Sequence, residues 1–205
     1  MIRLFMQDMR KILIFISIIV AIIAIILIGF ILQNYLNNDE KNSVLITVPV
    51  NSLGIQQEYL PDNISPIIEI YNDTEQIDFF SDDNITRLEE YTVDYRYNET
   101  NSEYLIIEIR KIESIDGAKE VFDNQKNLFI ETFGTGFNDI KSEIIGDEML
   151  FGSISGRTIS KYHLFFRKNN AIITLTSASD IDVTENDIIN YAKIILNNIE
   201  SSIES

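Results

Sequence analysis

Few residues in this 205-residue chain have the types and spacing to do chemistry, and the first is His163, the only histidine in a sequence with no cysteine. Any imidazole base or nitrogen metal ligand rests on that side chain. It lies in Lys161–Ser177, KYHLFFRKNNAIITLTS. If Asn169-Asn170 is a two-residue hairpin turn, one face of the hairpin pairs Phe166 with Ile173, Leu164 with Leu175 and Tyr162 with Ser177, and is apolar. The other pairs His163 with Thr176, Phe165 with Thr174 and Arg167 with Ile172, and is mixed. The register that buries the aliphatic residues therefore turns His163 away from the core. A general base needs a positioned donor and an orienting group, and a metal site needs about three or four ligands. His163 reads as a structural or solvent-facing residue.

Carboxylates are plentiful, and the adjacent pairs Glu89-Glu90 and Asp147-Glu148 have the type required for acid–base work on a glycan. With 32 acidic residues, such neighbours arise freely. Asp180, Asp182 and Thr184 occupy the first, third and fifth positions of a calcium-loop pattern, but Glu185 stands where glycine is required and Tyr191 where the closing glutamate belongs. The same residues suit a loop leading into a helix N-terminus. Gly152–Gly156, GSISG, has Ile154 where a nucleophile elbow has serine. Gly134–Asp139, GTGFND, follows a helix and lacks the lysine of a phosphate loop. Both read as turns. Asn63, Asn72, Asn84 and Asn98 open N-x-S/T sequons; Pro66 disfavours the first, leaving Asn72, Asn84 and Asn98 as glycosylation candidates. These residues assign no catalytic group, no cofactor and no metal site.

The elements that would position such residues begin with a long apolar run. Ile12–Leu32, ILIFISIIVAIIAIILIGFIL, is interrupted only by Ser17 and Gly29, and a helix of that length crosses roughly 30 Å of hydrocarbon. It exceeds the apolar core of about 7–15 residues of a signal peptide and is followed by no small-residue cleavage site. An uncleaved anchor is expected. Arg3, Arg10 and Lys11 precede it, which by the positive-inside rule keeps residues 1–11 as a cytoplasmic tail. Residues 33–43 are a polar tether, and 44–205 form the domain outside.

Residues 1–43 hold four basic and three acidic side chains of the chain's 16 and 32, leaving 12 against 29, a net charge of −17, on residues 44–205. Such a surface repels nucleic acid and anionic headgroups. Without cysteine there is no disulfide framework, so the domain must be held by its core.

Val44–Val50, VLITVPV, reads as a first strand ending at Pro49. SPIIEIYN and EQIDFFS are short candidate strands. Tyr91–Tyr97 alternates apolar and polar residues at the period of a half-buried strand, NETNS is a turn, and EYLIIEIRKI the returning strand. Tyr91, Tyr95, Tyr97 and Tyr104 are expected as a packing face, with a ligand groove as the alternative.

Two amphipathic helices follow. From Gly117 to Phe133 the stripe Ala118, Val121, Phe122, Gln125, Leu128, Phe129, Thr132 and Phe133 has helical spacing, with Gly134 at the C-cap. From Thr184 the stripe is Ile188, Ile189, Ala192, Ile195, Leu196, Ile199 and Ile203, with Thr184 and Asp187 as a capping box. Both stripes read as faces laid on a sheet. Between them come three strands, IIGDEMLFGSIS, RTISKYHLFFR and NAIITLTS, turning at Ser155-Gly156 and Asn169-Asn170. The class is α+β: an N-terminal transmembrane helix, then an antiparallel sheet of order ββαβββα after residue 90 with two helices packed on it.

That order, with G-D-E at 146–148 opening one strand and F-R-K-N-N at 166–170 closing the next, resembles the PsbP-like α/β sandwich over about residues 90–205. The resemblance implies an antiparallel sheet under helices and a binding or accessory role. Abundant isoleucine and asparagine fit an AT-rich prokaryotic genome. The function expected is a single-pass, membrane-anchored extracytoplasmic protein that holds the bilayer through residues 12–32 and binds a protein or small ligand at the cell surface without catalysis. Two alternatives stand: a carboxylate-dependent hydrolase acting on cell-wall or glycan material, and an accessory subunit of a membrane complex.

Overall fold

Asn169 folds the chain back on itself with a φ of 52°, in the left-handed region that asparagine tolerates better than most side chains. This is the tight turn that the Asn169-Asn170 pair predicts, and it sets the register of the hairpin at the middle of the sheet. The computed structural model describes residues 44–72, 76–77, 86–97, 102–155, 160–178 and 183–204. The chain divides into Met1–Ser43 and Val44–Ser205. The tail 1–11, the apolar run 12–32 and the tether 33–43 lie outside the described residues. Among those described, no helix is long and apolar enough to cross a membrane.

The strands are β1 (Ile64–Asn72), β2 (Gln76–Ile77), β3 (Thr86–Tyr97), β4 (Glu103–Ile112), β5 (Phe137–Asp139), β6 (Glu148–Ser155), β7 (Ser160–Lys168) and β8 (Ala171–Ala178). The helices are α1 (Ile115–Phe133) and α2 (Glu185–Glu204). The sheet runs β1-β3-β4-β8-β7-β6-β5, with β2 also on β3, and every pairing is antiparallel. After residue 90 the order is as expected, with one strand more. β5 is a three-residue piece too short to carry a period.

Helix ends follow the local sequence. Ser114 caps α1 by accepting from the Gly117 N–H at 3.0 Å, and Gly134 ends it at a φ of 45°. At α2 the Thr184 N–H donates to Asp187 Oδ2 at 2.8 Å, and the Asp187 N–H to Thr184 Oγ1 at 3.3 Å. This is the reciprocal cap the sequence predicts.

Strand alternation builds two cores on opposite faces of the sheet. The larger unites Val93, Leu105, Ile107, Ile109, Leu164, Phe166, Ile173 and Leu175 with Ile188, Ala192, Ile195 and Ile199 of α2. The smaller holds Phe165 and Ile172 under Ala118, Val121 and Phe122 of α1. The hairpin register agrees pair for pair with expectation: Phe166 opposite Ile173, Leu164 opposite Leu175, Tyr162 opposite Ser177, His163 opposite Thr176.

VLITVPV is not a strand. Residues 44–49 are irregular and Val50–Leu53 is a 3₁₀ turn. The segment lies on the larger core, burying Ile46, Val50 and Leu53. Its backbone is satisfied by distant side chains: the Ile46 N–H donates to Asn170 Oδ1 at 2.8 Å and the Val50 N–H to Glu89 Oε2 at 2.9 Å. Asn170 also donates through Nδ2 to the Ile112 carbonyl at 2.9 Å, so one buried amide ties this segment to the end of β4.

Candidate functional site

The face under α1 is only half closed. In its first half, Gly117 and Ala118 allow close approach and Val121 and Phe122 are buried, Phe122 stacking on Phe165 with centroids 4.6 Å apart and planes 6° from parallel. Beyond Phe122 no residue of the helix is buried, and Leu128 is 47% exposed. Phe129 stands on His163 at a centroid distance of 5.2 Å and meets Phe137 edge-on at 5.4 Å. These large rings prop the end of α1 off the sheet.

Gly152 makes room for that arrangement. A Cβ there would lie 2.2 Å from the Phe137 ring, so only glycine lets β5 set its aromatic side chain against β6. The result is a cavity of about 380 Å³ between the second half of α1 and the sheet.

Its floor comes from register. Glu108, Thr174, Phe165 and Leu150 form a row across β4, β8, β7 and β6. His163 belongs to the neighbouring row and Arg110 to the row on the other side. Its roof is Gln125, Leu128, Phe129, Thr132 and Phe133 of α1. The walls are mostly apolar and aromatic, and the charges are confined to β4.

There Arg110 is 6% exposed, its Nε 2.8 Å from Glu108 Oε1, while its Nη2 donates to Gln125 Oε1 at 2.5 Å. A buried guanidinium needs such partners, because an unpaired charge in an apolar setting costs several kcal/mol, on the order of 5. The cavity thus has an apolar end and a polar end of balanced charge. His163 Nδ1 is 3.1 Å from Thr176 Oγ1, and its ring packs against both members of the adjoining Phe129–Phe133 pair, the latter at 6.3 Å. Among the described residues no three His, Asp or Glu side chains converge as a metal site.

His163 lies on the strand face predicted for it; α1 roofs that face, so of the two roles expected, structural or solvent-facing, the ring takes a place in a cavity wall. The second half of the α1 stripe, likewise, faces the cavity and not a packed sheet.

The carboxylate pairs are spent elsewhere. Glu89 and Glu90 point to opposite faces of β3, Glu89 pairing with Lys111 and Glu90 with Arg87 at 2.9 Å. Burial raises the Glu89 carboxyl, but Lys111 and the Val50 N–H outweigh it and hold the group below its ordinary value. Asp147 and Glu148 both clasp Arg167, at 3.0 and 2.9 Å.

Neither glycine motif is simply a turn. Gly134–Gly136 is a 3₁₀ turn running into β5, and Gly152–Ser155 belongs to β6. The tyrosine row packs as expected: Tyr91, Tyr95 and Tyr104 are buried in the larger core. Burial beside Glu69 pushes the Tyr91 hydroxyl up to about 12, and the Tyr104 hydroxyl lies 2.8 Å from that of Tyr191. Asn63 and Asn72 are exposed; Asn84, Asn98, Asp180 and Asp182 lie outside the described residues.

Sequence reasoning missed Glu108, Arg110, Gln125 and Thr174 as a group. The signs were present: Glu108 and Arg110 alternate with Ile107 and Ile109 in a strand buried on both sides, and Gln125 interrupts an apolar helical stripe.

No protein-family model matches the chain, and no curated protein matches its sequence. The solved structures give a fold-level likeness to the extracellular domain of PknH from Mycobacterium tuberculosis, with a TM-score of 0.54 and 9% identity, covering 74% of this chain and 94% of that one. At that identity the likeness concerns the fold alone. It is to this domain, and not to the PsbP-like sandwich, that the comparison extends.

Proposed function

We propose that this chain is a single-pass membrane protein whose residues 44–205 form an extracytoplasmic, non-catalytic binding domain, with the cavity under α1 as its ligand site. The observation that carries the reading is the cavity itself. Its volume of about 380 Å³ falls within the range of about 300–1,000 Å³ typical of small-molecule pockets, which are likewise apolar with a few convergent polar groups. Glu108 and Arg110 neutralise each other there, an arrangement suited to holding a ligand and poorly suited to moving a proton. Fold-level likeness to an extracellular domain and the apolar run Ile12–Leu32 support a position outside the membrane. The test is protease treatment of intact cells followed by extraction of their membranes at alkaline pH. The domain should be cleaved from outside, and the uncut chain should remain in the membrane pellet until detergent is added. A protected or alkali-extracted chain overturns the reading.

A second reading, an accessory subunit of a membrane complex, is favoured by β1. This edge strand leaves Ile67, Ile70 and Tyr71 exposed at 51%, 47% and 43%, and apolar edge strands are templates for pairing with another chain. Crosslinking from position 70 in native membranes should then trap a stoichiometric protein partner; its absence removes this reading.

A further inference from the structure

We infer that the α1 cavity selects an uncharged amphiphile, one apolar body ending in a head group that both donates and accepts hydrogen bonds, such as an amide. The inference rests on the proposed binding role and concerns what the polar end of that cavity admits.

With Gln125 Oε1 held by the Arg110 guanidinium at 2.5 Å, the Gln125 amide turns to a ligand as a donor. Glu108 Oε1 forms an ion pair with Arg110 Nε at 2.8 Å without hydrogen-bond geometry, and a carboxylate has about four acceptor sites, so Glu108 remains an acceptor. The polar end therefore presents one donor and one acceptor on a background of zero net charge. A neutral amide head answers both.

A charged head does not. It gives up its hydration on entering and meets a pair already neutralised. A carboxylate would also approach a domain of net charge −17, the 12 basic and 29 acidic residues of 44–205, against its field. An ammonium would be drawn by that field and then meet Arg110, 6% exposed at the same end. The body is gripped by Phe129, Phe165, Leu150 and the His163 ring.

The chain has one histidine, so a carbon-13 label at Cε1 of the His163 ring gives one signal from the cavity wall. The experiment titrates octanamide, octanoate and octylammonium, equal in body and different in head, into the full-length chain in phospholipid nanodiscs and follows that signal. Octanamide should move it saturably and bind about tenfold or more tighter than either charged analogue. Leu128→Trp, at a position 47% exposed, should fill the cavity mouth and abolish the shift while leaving the thermal midpoint unchanged. Gln125→Leu should bring the amide down to the level of the charged analogues. If octanoate or octylammonium binds as tightly as octanamide, the head-group selection is wrong and the cavity remains a binding site. If none of the three moves the His163 signal, both the selection and the cavity as a ligand site are wrong, whatever the membrane topology proves to be.

Discussion

One sheet meets two helices in two different ways, and the difference decides where a ligand can go. Under α2 the sheet is sealed by aliphatic side chains: Ile188, Ala192, Ile195 and Ile199 are all fully buried along about three turns of helix. Under α1 burial stops at Phe122. The α2 stripe is made of isoleucines and alanine that pack on the apolar rows of β7 and β8 and on the Val50–Leu53 turn. The α1 stripe turns, after Phe122, to Gln125, Leu128, Phe129, Thr132 and Phe133, whose rings meet other rings before the backbone can close. Where the aromatic second half of α1 lies over a strand face carrying Glu, Arg, Thr and His, the space left is a cavity with a polar end.

Substitutions should break this contrast in graded fashion. On the sealed face, Phe166→Ala should cost about 3–5 kcal/mol of unfolding free energy by denaturant titration, because Phe166 is fully buried and the cavity left behind cannot collapse. Asn170→Ala orphans the Ile46 N–H and the Ile112 carbonyl that its amide satisfies, and should cost about 1–3 kcal/mol for each group left unpaired.

On the open face, Gly152→Ala drives a Cβ into the Phe137 ring. The overpacking should cost about 1–3 kcal/mol and shift the His163 ring signal, since Phe137, Phe129 and His163 are in sequence against one another. Leu128→Ser should change stability by less than about 0.5 kcal/mol, as for other exposed positions, yet weaken octanamide binding.

The pH dependence sharpens the account of the sealed face, where Glu89 joins the Val50 segment to Lys111. Its carboxyl lies below the ordinary 4.5 in the folded chain, so its contribution is fully present above pH 4.5 and is lost as pH falls through the lowered value. The denaturation midpoint of the native chain should drop over that acidic window, and Glu89→Gln should flatten the drop.

Much of this architecture was legible from local patterns. Alternation gave β3 and β4, helical spacing gave α1 and α2, Thr184 with Asp187 gave a cap, and Asn169-Asn170 gave a register whose residue pairs all recur in the structure. The failures have physical causes of one kind. Val44–Val50 has β-branched composition, but its backbone bonds go to Asn170 and Glu89, side chains far along the sequence that no local pattern contains. β5 is three residues long, below any period. The cavity depends on how far a helix stands off a sheet, which is set by rings on α1, β5 and β7 meeting in space. Gly152, misread as part of a turn, is the residue that permits that meeting.

The central claim, one face closed and the other open to a ligand, is tested most directly by amide hydrogen exchange on the full-length chain with and without octanamide. Amides of Leu128–Phe133 should exchange much faster than those of Ile188–Ile199 and become slower when octanamide is present, with α2 unchanged. Equal protection of the two helices, or no gain at Leu128–Phe133 in saturating octanamide, would contradict the account.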